Sequence, residues 1–214
     1  MSTLTKRSIL DSKMCIIIIA MNLLVFIAQK MYPQVVELLQ LHPDPATLMA
    51  RSWTLVTVFF LHIHEAHLLG TMLIVFYAGS RLEEAVGPRH LFYIYVVTGI
   101  TGSAAVLAAS RFIAMPEPYV GASAAALGIL GASVVVPLKD EIRSKDLKKV
   151  LIVVIITNIA VLFFDLQGMA ASTLAHFAGM AAGVVYGNMH KLYHSENLKE
   201  MYERKAKGRP KKTR

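Results

Sequence analysis

Gly121-Ala122-Ser123-Ala124, read together with Ala175-His176-Phe177-Ala178-Gly179, decides how this chain is built. Each stretch lies at or near the start of a long apolar segment, so a serine and a histidine are carried into an apolar phase at similar depth. A charged side chain at the centre of a membrane span costs roughly 2.5 kcal/mol or more, which makes an ionisable residue there a functional candidate whose partner should be named. For a histidine the natural partner is a hydroxyl that it can deprotonate.

The surrounding composition supports a membrane setting. Of 214 residues, 55% are hydrophobic, above the 45–50% that is usual in soluble domains. Apolar runs near the ~20 residues that cross a bilayer recur at 13–31, 66–86, 89–110, 121–138, 148–166 and 171–191. The expected fold is an all-α membrane protein, a six-transmembrane-helix bundle over 13–191, between a cytosolic N-terminus at 1–12 and a basic cytosolic tail at 192–214. No length remains for a second folded domain. Lys6, Arg7 and Lys13 ahead of the first run resemble the start of a signal peptide, but no small-residue cleavage site follows, so the run reads as a retained anchor. Cys15, the single cysteine, cannot form an intramolecular disulfide and reads as a small apolar side chain.

Lysine and arginine set the orientation. With the N-terminus inside, the inner segments hold 19 of these residues, among them Arg81, Arg89, Lys139 to Lys149 and the tail. The outer segments hold 3, namely Lys30, Arg51 and Arg111. Cytosolic loops carry the excess of such charge, so both termini are expected in the cytosol. The tail from His194 to Arg214 has a composition open to nucleic acid, but a solvated, partly disordered segment drawn to anionic lipid fits it better. No nucleic-acid partner is expected. The first outer loop, from Met31 to about His64, contains Pro33, Pro43 and Pro45. Its amphipathic stretches Val35-Val-Glu-Leu-Leu and Leu55-Val-Thr-Val-Phe-Phe suit half-buried interfacial helices, with Trp53 at headgroup level. Pro116 and Pro118 cannot sit in a regular helix interior, so the fourth span should begin near Gly121, at Ser123.

Drawn as a helix, the sixth span places His176, Gly179, Gly183 and Gly187 on one stripe. The small-xxx-small spacing lets backbones approach closely in lipid. The fourth span offers Ala124, Gly128, Gly131 and Ala132 in return. Packing along these faces would bring His176 towards Ser123. Backbone N–H groups at the start of a helix lack intrahelical partners and could hold an oxyanion. Each motif alone is common in membrane helices; together they predict a Ser–His dyad. No Asp or Glu falls inside either span, and Asp165, at the end of the fifth, reads as a cap, so no third acid is expected. At the second span, Leu61-His62-Ile63-His64-Glu65-Ala66-His67 contains metal-ligand residue types. Its spacing is not that of zinc proteases, and the three histidines do not share a helical face. A donor role for His67 fits better, with His62 and His64 at the wet interface and no metal.

These residues give the chain a plain resemblance to the rhomboid intramembrane serine proteases. The resemblance covers nearly the whole chain. It rests on Gly121-Ala-Ser123-Ala, on Ala175-His176-x-x-Gly179-x-x-x-Gly183, on His67 at the second span and on Gly79-x-x-x-Glu83-x-x-x-Gly87 at its inner end. Trp53 falls where the family has the tryptophan of its loop motif. The resemblance implies Ser123 as nucleophile and His176 as base. It implies an oxyanion site at the Ser123 amide, His67 and Thr71, with Trp53, Glu83, Gly121, Gly179 and Gly183 in support. It implies no cofactor. The expected activity is serine endopeptidase cleavage of single-span membrane protein substrates within the lipid bilayer, with the enzyme a multi-pass protein of the cell (plasma) membrane. The chain departs from the family pattern at three places. Thr71 stands where asparagine is usual, Thr54 follows the tryptophan where arginine is usual, and Leu127 follows the serine by four positions where bacterial members often have an aromatic. These departures keep a second reading open, a proteolytically silent rhomboid-like protein that binds membrane clients. A small transporter using the histidines is disfavoured, because paired broken helices and repeats are missing from the sequence.

Overall fold

The computed structural model describes residues 12–112, 119–138, 141–164 and 170–207. Among them helices dominate and no strand occurs; a single antiparallel bridge joins Leu41 to Tyr119. In chain order the helices are α1 (Lys13–Met31), α2 (Gln34–Leu39), α3 (Pro45–Ala50), α4 (Thr54–Thr57), α5 (Glu65–Ile74), α6 (Ser80–Val86), α7 (Pro88–Ala109), α8 (Ser123–Ser133), α9 (Glu141–Phe164) and α10 (Ala170–Lys207). A 3-10 turn at Val58–Phe60 extends α4, and a π-helical stretch at Val75–Gly79 makes α5 and α6 continuous.

Helix α8 is the core of the bundle. Every residue from Ala124 to Ser133 is buried, between α7 and α10. At 11 residues and 1.5 Å per residue, it is too short to cross a bilayer unaided. Enclosure by its neighbours removes the need to match the lipid. Small residues make the enclosure possible. A Cβ on Gly179 or Gly183 would run into the backbone of Ala124 or Gly128, and one on Gly131 into Met180. A Cβ on Gly102 of α7 would meet Ala124 from the other side. Helices α8 and α10 thus meet backbone to backbone, the packing that membrane helices use where lipid removes the hydrophobic drive.

Helix α1 is tied on by polar contacts. Glu83, midway along α6, is buried, and its carboxylate accepts from the backbone N–H groups of Met14 (3.1 Å) and Cys15 (2.8 Å). These are among the orphan donors of a helix start. Midway along, Asn22 donates to the Tyr95 hydroxyl (3.0 Å), which donates to the Phe59 carbonyl (2.7 Å). Gly87, at φ +86°, lets the chain reverse between α6 and α7.

By length and composition, α1 and α7 are each able to cross a membrane, and the pair Thr54–Phe60 and Glu65–Val86, bent by 95°, makes a third candidate. Two expectations change. The second amphipathic loop stretch is no interfacial helix throughout: Val58 and Phe59 are fully buried, because Phe59 packs on Gly99 and on Tyr95. The tail is helical well beyond residue 191, since α10 runs to Lys207. Good helix formers (Leu, Lys, Glu, Met, Arg, Ala) fill the segment, and no Gly or Pro interrupts it before Gly208. The expected boundary at 192 therefore falls inside a helix. Pro116, Pro118 and Asp165, and the ends 1–11 and 208–214, lie outside the described residues.

Candidate active site

The chain enters α8 through an unusual turn. Gly121 has φ +157°. A Cβ there would lie 3.4 Å from Ser123 Oγ and 3.5 Å from His67 Cε1. Glycine therefore keeps open a space that Ser123 and His67 share. Ser123 is the first residue of α8, so its own N–H is one of the helix's unpaired donors and faces no intrahelical acceptor.

The first loop holds this turn in place. Leu41 and Tyr119 exchange backbone hydrogen bonds (3.1 and 2.8 Å), and the Gly121 N–H donates to the Val58 carbonyl (3.4 Å). The loop is in turn pinned to α2 from three sides. Trp53 Nε1 donates to the Leu38 carbonyl (3.1 Å), the Arg51 guanidinium to the Glu37 carbonyl (3.1 Å) and the Thr57 hydroxyl to the Leu39 carbonyl (2.9 Å). Trp53 remains 46% exposed. Its indole thus works as a clamp with an open face.

His176 lies on α10 one turn before Gly179. The absence of side chains at Gly179 and Gly183 lets α10 sit close enough for the imidazole to reach the start of α8. Nε2 of His176 is 2.6 Å from Ser123 Oγ. The other ring nitrogen, Nδ1, is 2.7 Å from Oδ1 of Asn158 on α9. Both Ser123 and His176 are half-buried. An amide oxygen only accepts, so a hydrogen bond at Nδ1 requires the ring proton there, and a neutral ring so protonated has its free lone pair at Nε2.

His67 faces the same space. Its Nδ1 accepts from the Ile63 N–H (3.4 Å), so the ring proton is on Nε2 and available to a ligand. His64 caps the helix, its Nδ1 accepting from the His67 N–H (3.1 Å). Thr71 lies one turn further along α5 and is buried. His62 differs from expectation. It is fully buried rather than at a wet interface, because Gln29 of α1 grips its backbone from both sides, Nε2 to the His62 carbonyl (3.0 Å) and Oε1 from the His62 N–H (3.1 Å). Its ring stands 5.3 Å from that of His67. Among the described residues, no three His, Cys, Asp or Glu side chains are arranged to hold a metal ion.

A family model of the rhomboid domain matches residues 50–191, two thirds of the chain, including His67, Thr71, Ser123 and His176. The chain belongs to the rhomboid family. It is similar to Rhomboid protease GluP of Bacillus subtilis, 34% identical over 137 residues, covering 61% of this chain and 24% of that protein. It is also similar to RHOMBOID-like protein 7 of Arabidopsis thaliana, 33% identical over 135 residues (63% and 42%). Rhomboid protease GlpG of Haemophilus influenzae is 23% identical over 182 residues (83% and 90%). The chain thus spans about a quarter of the first relative and two fifths of the second.

Within the rhomboid frame, two of the departures acquire physical content. Arg51, two residues before the tryptophan, binds the same segment as Trp53, and the Thr54 hydroxyl donates to the Arg51 carbonyl (2.8 Å). Leu127 is buried in the core. Sequence reasoning missed one residue of the cluster, Asn158. The group at His176 is an amide in the fifth span, not an acid in the fourth or sixth. The signal was available: the run Val150 to Phe164 is apolar except for Thr157 and Asn158, and an amide in such a run needs a partner.

Proposed function

We propose that this integral membrane protein is an intramembrane serine endopeptidase with Ser123 as nucleophile and His176 as general base. The observation that carries the reading is the 2.6 Å contact between Ser123 Oγ and His176 Nε2 beside a space kept open by Gly121. The family match and the protease names of the GluP and GlpG relatives support it.

As the Oγ–carbon bond forms at the scissile carbonyl, Nε2 takes the hydroxyl proton and the carbonyl π pair moves onto oxygen. The oxyanion is met by the Ser123 N–H and by His67 Nε2–H, with the Thr71 hydroxyl as a further donor. Collapse of the intermediate breaks the C–N bond, and the amine leaves with the proton from Nε2. Water then attacks the acyl-enzyme, Nε2 again taking and returning a proton, and releases the acid. A helix hides its carbonyls in its own hydrogen bonds, so the substrate is a single-span segment that unwinds locally at small or helix-breaking residues. In this reading six segments surround the site within the bilayer, α8 being the short enclosed one. Both termini are cytosolic in the cell membrane, and the site opens outward. The catalytic unit is 13–191, with 1–12 and the basic tail from 192 outside it.

Thr71 favours one competing reading, a silent rhomboid-like protein that binds membrane clients. Purified protein in liposomes, given a single-span reporter, separates the two. We expect cleavage inside the span near its outer end, located by mass spectrometry and absent in Ser123→Ala. Stable capture of the reporter without cleavage would favour the silent binder.

A further inference from the structure

We propose that Asn158 on α9 is a positioning residue for His176, accepting the Nδ1 proton so that Nε2 stays unprotonated and turned towards Ser123. The inference rests on the serine protease reading and adds a residue to it.

Two contacts fix the amide. Its Nδ2 donates to the Val154 carbonyl one turn back (2.8 Å), and its Oδ1 faces His176 Nδ1 at 2.7 Å. A carbonyl only accepts, so the NH2 end must face Val154 and the oxygen must face the imidazole. A neutral imidazole has one donor and one acceptor, and a partner at one nitrogen decides the other. With Oδ1 on Nδ1, the lone pair is on Nε2, where the serine proton has to go. Without Asn158, the ring is free to protonate Nε2 and to rotate. An amide suits this position in lipid because it is neutral, whereas a carboxylate would carry a charge into the span. The neighbouring Thr157 takes no part in this, because its hydroxyl donates within its own helix, to the Val153 and Val154 carbonyls (3.0 and 2.9 Å). The competing reading is structural, with Asn158 only gluing α9 to α10 through a hydrogen bond.

The test compares Asn158→Leu, close in size without an acceptor, with Asn158→Asp, which keeps one. Each purified full chain is reconstituted, kcat and KM are measured on one reporter, and the His176 ring tautomer is read by nitrogen-15 NMR. We expect Asn158→Leu to lower kcat on the order of a hundred-fold, as misplacement of a catalytic group does, with KM little changed and the Nδ1–H tautomer lost. Asn158→Asp should recover most of kcat. The inference is overturned if Asn158→Leu keeps both kcat and the Nδ1–H tautomer. It is equally overturned if Leu and Asp lower kcat alike while the ring stays protonated at Nδ1, which is the structural outcome. Cleavage that persists in Ser123→Ala would instead sink the protease reading, and the tautomer measurement would then judge Asn158 by itself.

Discussion

A serine hydroxyl is a weak nucleophile at neutral pH, so Ser123 and His176 have value only as a unit. We therefore expect Ser123→Ala and His176→Ala each to abolish reporter cleavage, and the double variant to be no worse than either. Additive losses, measured as kcat/KM on one reporter, would mean that the two side chains act separately. Thr71 stands where the resemblance to the family leads one to expect asparagine. It lies at i+4 from His67 on the same helix face, and in the proposed mechanism its hydroxyl joins His67 as an oxyanion donor. Thr71→Val keeps the shape and removes the donor. We expect kcat to fall with KM little changed, by up to the ~2.7–4 kcal/mol that one oxyanion donor supplies. An unchanged kcat would remove Thr71 from the mechanism and leave His67 and the Ser123 amide.

At the scale of elements, the distance between α8 and α10 is set by atoms that are missing. Gly179 and Gly183 press on the backbone of Ala124 and Gly128. Their replacement by valine must push α10 away, and about 1 Å at the dyad can cost a hundred-fold. Gly70, where an added Cβ meets nothing within 4 Å, is the control. Gly179→Val and Gly183→Val should lose most activity while Gly70→Val keeps it; equal tolerance at the three sites would show that the stripe does not set the geometry. These helices were legible in the sequence because small residues at four-residue spacing and apolar runs near span length are strong patterns. The segments 13–31, 66–86 and 89–110 match helices at Lys13–Met31, Glu65–Val86 and Pro88–Ala109 closely. Burial of His62 was not legible, since it depends on Gln29 reaching across from α1, a contact between residues far apart in sequence. The same holds for Asn158, whose partner lies on another helix. The helical extension of α10 was hidden by its charge, which suggested solvation and concealed good helix propensity.

For the whole molecule, charge decides orientation and chemistry decides purpose. In the proposed orientation lysines and arginines divide 19 to 3 between the two sides, so tags at residues 2 and 214 should both be protected from external protease in intact cells. Digestion of either tag would reverse the orientation and with it the outward-opening site. The glycine at 121, the helix start at 123, the imidazole brought in by α10 and the loop clamped by Trp53 and Arg51 converge on one hydroxyl. The most direct measurement of that convergence is covalent trapping. A fluorophosphonate probe added to the protein in membranes should label it at Ser123, located by mass spectrometry, and labelling should vanish in both Ser123→Ala and His176→Ala. Undiminished labelling of Ser123→Ala, or a wild-type chain that stays unlabelled while folded in the membrane, would contradict an activated serine at this site.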